Sequence, residues 1–160
     1  MSIESNAPIT LGIMTKYWKS GSVKTRLGKT IGMDTAAKLH ELFVSHLCNS
    51  LSEAGEQRCI CVSPHDTRGI FLKELEKWQL SENWTVIPQG NGDLGARMSN
   101  WFREILGRGE RQHAILIGGD CPLLVKSDID AASDCLTQSD VVLGPAADGG
   151  YYLIGLSGPW

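Results

Sequence analysis

Two acidic residues follow predicted strands in glycine-containing segments, and they are the first candidates for chemistry. Asp120 comes directly after the apolar run 114–117 and two glycines, and Asp148 lies in the segment 145–152. A short apolar run ended by glycines is typical of a strand buried on both faces, which delivers the next side chain to the carboxyl edge of the sheet. Two carboxylates at such an edge suggest a divalent cation, although a turn or helix cap is an open alternative for Asp120.

A second candidate group consists of two cations and a hydroxyl. Lys24 and Arg26 flank Thr25 in a predicted loop directly after the first predicted strand, Ile9–Met14. This combination suits a phosphate, because an arginine can bind two oxygens at once. Solvated cations ahead of a helix are the alternative. The segment is not a Walker A loop, since Val23 stands where that motif requires glycine.

The segment 90–95 matches the pattern G-x-G-x-x-G between a predicted strand and a predicted helix. In dinucleotide-binding proteins this fingerprint forms the tight turn of the first βαβ unit, whereas here it falls in the third. A dinucleotide-dependent oxidoreductase is therefore disfavoured. We expect Asp93 and Arg97 to cap the following helix and to face a ligand at the sheet edge.

Composition excludes several classes of protein. The chain has 160 residues and a net charge of −3, which predicts one domain and no general surface for nucleic acid. Residues 1–6 have no signal-peptide pattern, and no apolar stretch approaches the roughly 20 residues of a membrane span. We expect a cytoplasmic protein that binds neither nucleic acid nor a membrane. Its oligomeric state is left open.

The cysteines and histidines show no metal-binding spacing. Five cysteines, an odd number at irregular intervals, predict reduced and mostly buried thiols. Cys121 adjoins the proposed site, but no histidine stands beside it in the sequence, so a nucleophilic role is disfavoured. The four histidines are expected to be structural or solvated.

Hydrophobic periodicity predicts strands that alternate with helices. This alternation predicts a three-layer α/β/α fold with a mainly parallel sheet. The last connection is too short for a helical crossover, so the final strand is expected to lie antiparallel or in a different position. The predicted strands are Ile9–Met14, Arg58–Val62, Trp84–Ile87, Ala114–Ile117, Val141–Leu143 and Tyr151–Ile154, and the predicted helices begin near Asp34, Asp66, Gly95 and, with a Ser127/Asp130 capping box, Ser127.

Four motifs resemble one known family. They are Val23-Lys-Thr-Arg-Leu-Gly28, Gly92-Asp-Leu-Gly95, Gly119-Asp-Cys-Pro122 and the segment 144–155, and the resemblance covers residues 10–156. This arrangement resembles the bacterial DUF2064 family, which looks like a branch of the nucleotide-diphospho-sugar transferases with the GT-A fold. Some members are labelled glycosyltransferases of arsenosugar biosynthesis or selenodomain-associated transferases. The chain is similar more distantly to molybdenum-cofactor and phospholactate nucleotidyltransferases.

The resemblance implies a metal-dependent transferase that uses a nucleotide or nucleotide-sugar donor and a small-molecule acceptor. Glycosyl transfer, nucleotidyl transfer and a catalytically degenerate nucleotide-binding module all remain open. The expected domain covers residues 1–160, with truncation at the C-terminus as an alternative. The implied roles are Mg²⁺ or Mn²⁺ binding and catalysis by Asp120 and Asp148, nucleotide or phosphate binding by Lys24, Thr25, Arg26, Gly92, Asp93 and Arg97, and acceptor binding by Gly149, Gly150 and Tyr151.

Overall fold

The computed structural model describes residues 7–109 and 111–159. Residues 1–6, for which the sequence predicts no signal peptide, lie outside the described residues. None of the helices in the described part of the chain combines the length and apolarity that a membrane span requires.

The strands of the described residues are β1 (Ile9–Lys16), β2 (Gln57–Ser63), β3 (Thr85–Pro88), β4 (His113–Gly118), β5 (Val141–Pro145) and β6 (Tyr151–Ser157). They form one sheet, in the order β3-β2-β1-β4-β6-β5. The first four strands of the chain run parallel, whereas β6 pairs antiparallel with both β4 and β5. The prediction of a mainly parallel sheet with an antiparallel final strand is thereby confirmed.

Helices cover both faces of the sheet, as the three-layer prediction requires. The helices of the described chain are α1 (Thr25–Ile31), α2 (Met33–Ser50), α3 (Arg68–Lys77), α4 (Leu94–Leu106) and α5 (Lys126–Leu136), with a 3₁₀ turn at His65–Thr67. One apolar cluster packs α2, α3 and α5 against one face of the sheet, and a second packs α4 against the other face.

The strand β4 lies in the middle of the sheet and is buried on both faces. Ile115 and Ile117 pack in the cluster with α2, while Ala114 and Leu116 pack in the cluster with α4. All four side chains are at most 3% exposed. This burial explains the unbroken apolar run, and it fixes where the backbone of β4 ends and the turn at Asp120 begins.

Three local predictions were wrong. Asp34 does not cap α2, because Gly32 (φ 91°) joins the short helix α1 directly to α2, which begins at Met33. The segment around Lys24 is not wholly a loop, since α1 begins at Thr25. At α5 the side chain of Asp128 accepts the backbone N–H of Val125, so this pair replaces the predicted Ser127/Asp130 box.

Candidate functional site

A cavity of about 640 Å³ opens at the carboxyl edge of the sheet. Its walls come from the end of β1, the segment 22–27, the start of α4 and the turn after β4, with His40 of α2 also part of the lining. Because β1 and β4 are parallel neighbours, their carboxyl ends deliver adjacent loops to one place. The cavity therefore brings together Lys24, Thr25, Arg26 and Asp120, four of the residues that the sequence singled out.

Lys24 joins three elements of the site. Its Nζ lies 3.4 Å from Oδ2 of Asp120 and 5.3 Å from the centroid of the Phe43 ring on α2. Its backbone has φ 48° and ψ 37°, the left-handed conformation that a residue with a side chain seldom adopts. Such strained positions cost about 1–3 kcal/mol and are concentrated at functional sites. Lys24 is the N-cap residue of α1, so this conformation turns the chain from the preceding loop directly into the helix.

Thr25 and Arg26 occupy the first two positions of α1 and line the same cavity. Both residues are exposed. The Lys24 side chain, in contrast, is only 21% exposed. The segment thus presents one half-buried ammonium and one exposed guanidinium to the cavity, an arrangement that attracts a multiply charged anion.

Asp120 lies in the turn that follows β4, and its side chain is 60% exposed. Two glycines before it allow a tight approach of the two strand ends. A Cβ at Gly119 would lie 2.8 Å from Cβ and Oγ1 of Thr15, and a Cβ at Gly118 would lie 2.9 Å from Oδ1 of Asp120 itself. The Gly119 amide also donates to the carbonyl of Met14 at 3.0 Å. Close packing of the β4 turn against β1 therefore requires glycine at position 119.

Residues of the 90–95 loop are tied to the protein itself. Asp93 caps α4, its Oδ1 accepting the amide of Ala96 at 2.9 Å, as expected. Arg97 donates from Nε to the carbonyl of Gly92 at 2.8 Å and from Nη1 to Oε1 of Gln89 at 3.2 Å. Through these bonds, Gly92, Asp93 and Arg97 have a structural role, which is to hold the loop at the sheet edge. Whether they also face a ligand stays a prediction.

Asp148 does not line the cavity that contains Asp120. It lies in an exposed β5–β6 loop, where its Oδ1 accepts the amide of Gly150 at 3.1 Å. Gly149 in this loop has φ 87°, which favours glycine. Asp148, Gly149 and Gly150 are thus placed in one self-bonded turn, apart from the cation pair.

Tyr151 borders a second cavity, of about 660 Å³, between α4 and β6. Its hydroxyl lies 3.9 Å from Sδ of Met98. The other walls are mainly apolar, and Arg103 is the one charged side chain among the described residues that line the cavity. Gly95 lines this cavity, while its neighbour Leu94 lines the first. The predicted acceptor residue is therefore adjacent to the start of α4 but lies outside the cavity of Asp120.

The thiol of Cys121 lies 3.9 Å from Oδ1 of Asp120. All five cysteines are free. Burial, and then the charge of Asp120, raises the pKa of the Cys121 thiol, which lowers the fraction of reactive thiolate at neutral pH. The described residues also contain no group of three or more His, Cys, Asp or Glu side chains placed to hold a metal ion.

Two residues of this edge were missed by the sequence interpretation. His40 is 6% exposed, lines the cavity and bonds to the end of β1 through Nε2. Gln89 donates from Nε2 to the carbonyls of Thr15 and Cys61, both at 2.9 Å, and so links β1 to β2. A signal for His40 was present: it stands in the buried stripe of α2, four residues from both Ala36 and Val44. A polar residue in such a stripe needs a partner.

Comparison with known structures agrees with this architecture. The chain superposes on the crystal structure of a protein from Desulfovibrio desulfuricans G20, provisionally named a nucleotide-diphospho-sugar transferase, with a TM-score of 0.81 and 32% identity. The match covers 92% of this chain and 62% of that protein. No curated protein matches the chain.

Two more distant structures share the fold. One is a cytidylyltransferase from Leptospira borgpetersenii serovar Hardjo-bovis (strain JB197), with a TM-score of 0.59, 12% identity and coverage of 94% of this chain and 60% of that one. The other is a 4-diphosphocytidyl-2C-methyl-D-erythritol synthase from Anaerococcus prevotii DSM 20548, with a TM-score of 0.58, 11% identity and coverage of 94% and 70%. The expected nucleotide-diphospho-sugar transferase fold is confirmed.

The sequence comparison agrees with the resemblance seen in the motifs. Residues 47–160 match the family described as "Uncharacterized protein conserved in bacteria (DUF2064)". This match includes the turn at Asp120 and the whole β5–β6 loop, whereas Lys24 lies before it. The chain therefore belongs to the DUF2064 family.

Proposed function

We propose that the protein is a transferase that uses a nucleotide-activated donor, with a nucleotide sugar as the donor and Mg²⁺ or Mn²⁺ as the cofactor. The observation that carries the proposal is the placement of Lys24 beside Asp120, 3.4 Å apart, in an open cavity at the carboxyl edge of the sheet. Cationic side chains bind phosphate oxygens, and a metal ion bound to a phosphate is commonly held by a protein carboxylate as well. The family and the shared fold support the same class of enzyme.

The donor set at Asp120 fits a hard divalent cation. Mg²⁺ in enzymes is commonly held by one or two carboxylates together with substrate phosphates and waters. Asp120 supplies one exposed carboxylate, and the glycines before it keep side-chain bulk away from its oxygens. Asp148 is proposed as a second carboxylate near the acceptor. Because the described residues hold no ready cluster of three ligands, the cation would depend on the nucleotide for its remaining ligands.

The residues of the first cavity would bind and orient the donor. Lys24 and Arg26 would bind the phosphate oxygens, Thr25 would donate a hydroxyl hydrogen bond, and Asp120 would hold the cation. A divalent cation supplies Lewis-acid stabilisation of charge on the leaving group. Lys24 and Arg26 would stabilise the same developing charge, and such electrostatic terms are usually the largest in transfer reactions.

Gly149, Gly150 and Tyr151 are proposed to border the acceptor. They lie in the β5–β6 loop and at the start of β6, and Tyr151 lines the second cavity beside α4. An acceptor held there would approach the donor from the side of the sheet that α4 covers. Gly92, Asp93 and Arg97 are not part of the lining of the first cavity, and they are proposed to contact the nucleotide from the loop before α4 and from its first turn.

Two related reactions use the same charge stabilisation and differ in the bond that breaks. Glycosyl transfer breaks the bond between the sugar carbon and the phosphate oxygen, and the nucleoside diphosphate leaves. Nucleotidyl transfer breaks the bond from the α-phosphorus to the bridging oxygen of a triphosphate, and pyrophosphate leaves. The nucleotidyltransferase alternative is retained because the two distant structures with this fold include a cytidylyltransferase.

The experiment is product analysis of the protein with Mg²⁺ or Mn²⁺, a set of nucleotide sugars and nucleoside triphosphates, and a mixture of small hydroxyl acceptors. Nucleoside diphosphate release that depends on protein, metal and acceptor would support glycosyl transfer. Pyrophosphate release would favour nucleotidyl transfer instead. Nucleotide binding without either product would indicate a binding module and would contradict the transferase proposal.

A further inference from the structure

His40 is a buried residue at the floor of the first cavity. Its side chain comes from α2, is 6% exposed, and places Nε2 3.1 Å from the carbonyl oxygen of Lys16 and 3.1 Å from Oγ1 of Thr15. A carbonyl oxygen only accepts hydrogen bonds, so Nε2 must carry the proton. Nδ1 is buried and has no hydrogen-bond partner among the described residues. All of the polar contacts of the imidazole are therefore made through Nε2–H.

The two residues that His40 contacts are at a junction of the site. Thr15 and Lys16 are the last residues of β1, and the segment that ends at Lys24 begins directly after them. Thr15 also lies against the β4 turn, so closely that a Cβ at Gly119 would lie 2.8 Å from its Oγ1. His40 thus bonds to the end of β1, from which the segment leading to Lys24 extends and against which the turn of Asp120 packs.

Burial favours a neutral imidazole at His40. Burial lowers the pKa of His40, and the ammonium of Lys24 lowers it further, whereas the carbonyl bond and Asp120 act in the opposite direction. Lys24 precedes α1 and Asp120 follows β4, and Lys16 of β1 contributes its backbone carbonyl. On α2 itself, Glu41 is paired with Lys38. A neutral donor adds no charge for a phosphate, so its effect must come from position.

We infer that His40 is a positioning residue of the anion site, whose Nε2–H holds the end of β1 so that Lys24 and Asp120 face one ligand. The inference rests on the proposed function, because it assumes that an anion binds at Lys24. It assigns His40 a role through Thr15 and Lys16 and no contact with the reacting atoms. Loss of the donor would remove one of the bonds that hold the β1 end, beside those of Gln89 and β2, and would let the spacing between Lys24 and the Asp120 turn vary.

Two substitutions separate the donor from the ring. His40→Gln places an amide N–H near the position of Nε2, whereas His40→Asn is shorter and reaches only the position of Nδ1. Both remove the imidazole and both are polar, so each serves as the control for the other. The measurement is the affinity for inorganic pyrophosphate in the presence of Mg²⁺ at pH 7.5, by titration calorimetry, with the melting temperature of each variant measured in parallel.

His40→Gln should bind pyrophosphate within about threefold of the wild type, and His40→Asn should bind about tenfold more weakly, as expected for one lost hydrogen bond in a preorganised site. Equal affinities for the two variants would overturn the inference. The proposed function is tested separately by Lys24→Ala: if that variant also binds normally, the anion site itself is wrong.

A spectroscopic measurement keeps the inference testable if a variant does not fold. In the wild-type protein, ¹⁵N NMR of the imidazole at pH 7.5 should show a protonated Nε2 and a bare Nδ1. Addition of pyrophosphate and Mg²⁺ should leave this tautomer unchanged while it perturbs the Nε2 signal. The opposite tautomer would overturn the inference, because Nε2 could then not donate to Lys16.

Discussion

Replacing Lys24 by alanine should weaken nucleotide binding much more than it lowers the stability of the protein. The variant removes the ammonium that lies 3.4 Å from Asp120 and 5.3 Å from the Phe43 ring. Alanine and lysine both carry a Cβ, so the steric cost of the left-handed backbone at φ 48° is the same before and after the substitution. The comparison therefore reports on the charge and its contacts.

The expected cost in stability is small. A partly exposed ion pair contributes about 0–1 kcal/mol, and a cation over an aromatic ring about 0.5–1 kcal/mol. Asp120 is 60% exposed, so it remains hydrated when its partner is removed. The free energy of unfolding of Lys24→Ala should therefore fall by no more than about 2 kcal/mol in urea denaturation, with an unchanged m-value.

The expected cost in ligand binding is larger. A hydrogen bond between a charged lysine and a phosphate contributes about 1.5–3 kcal/mol, which corresponds to a loss of affinity of roughly 10- to 150-fold. Calorimetric titration with a nucleoside diphosphate and Mg²⁺ measures this loss. Arg26→Ala should show a comparable loss, because Arg26 lines the same cavity.

Lys29→Ala is the matched control. Lys29 is an exposed cation of the same helix α1, and it does not line the cavity. The control changes the net charge by the same amount, so it removes the general electrostatic attraction from the comparison. Affinities of Lys24→Ala and Arg26→Ala that equal that of Lys29→Ala would refute the assignment and make both residues part of an ordinary charged surface.

Two further predictions concern stability. Gly119→Ala should lower the free energy of unfolding by about 1–3 kcal/mol, because the new Cβ would lie 2.8 Å from Thr15. Gly69→Ala on α3, where a Cβ meets nothing within 4 Å, is the control in the same urea assay and should gain up to about 1 kcal/mol; equal effects would contradict the packing argument. Between pH 7 and pH 5 the protein should lose stability through His113, because burial lowers its pKa in the folded state and the unfolded chain therefore binds the proton first as the pH falls. In the wild type, Nδ1 of His113 lies 2.8 Å from Oγ of Ser133, and the asparagine of His113→Asn can keep a donor there. This variant should reduce the pH dependence of stability. An unchanged dependence would show that other groups cause it.

Strands with strong local signals could be predicted from the sequence. The run 114–117 has only apolar side chains because both faces of β4 are covered, and this pattern does not depend on knowing its neighbours. The turn at Asp120 followed from the same pattern. One motif glycine has a packing reason of the same kind, since a Cβ at Gly119 would lie 2.8 Å from Thr15.

The remaining features depend on contacts between distant parts of the chain. The short link from β5 to β6 excluded a helical crossover, but it did not show that β6 would insert between β4 and β5. The seven residues of α1 carry two cations, Arg26 and Lys29, and no clear apolar stripe, so local sequence did not predict a helix there. The stripe of α2 marks His40 as buried, but its partners, Thr15 and Lys16, could be identified only when α2 and the end of β1 were placed together.

The relation of Asp148 to Asp120 shows the limit of counting strand ends. Both follow strands, and both stand beside glycines. However, β6 separates β4 from β5 in the sheet, and the Asp148 side chain bonds to its own loop through the amide of Gly150. Sequence patterns indicate which edge of the sheet a residue reaches, and the order of the strands decides which residues share a cavity.

The most direct test of the central claim is a Mg²⁺ titration of the wild type and of Asp120→Asn, each with a nucleoside diphosphate present. Asparagine keeps the shape of the side chain and removes its charge. The wild type should bind the nucleotide more tightly as Mg²⁺ is added, while Asp120→Asn should lose this dependence at near-normal stability, with any transfer rate lower by a factor on the order of a hundred. Equal Mg²⁺ responses of the two proteins would contradict the assignment of Asp120 as the metal ligand.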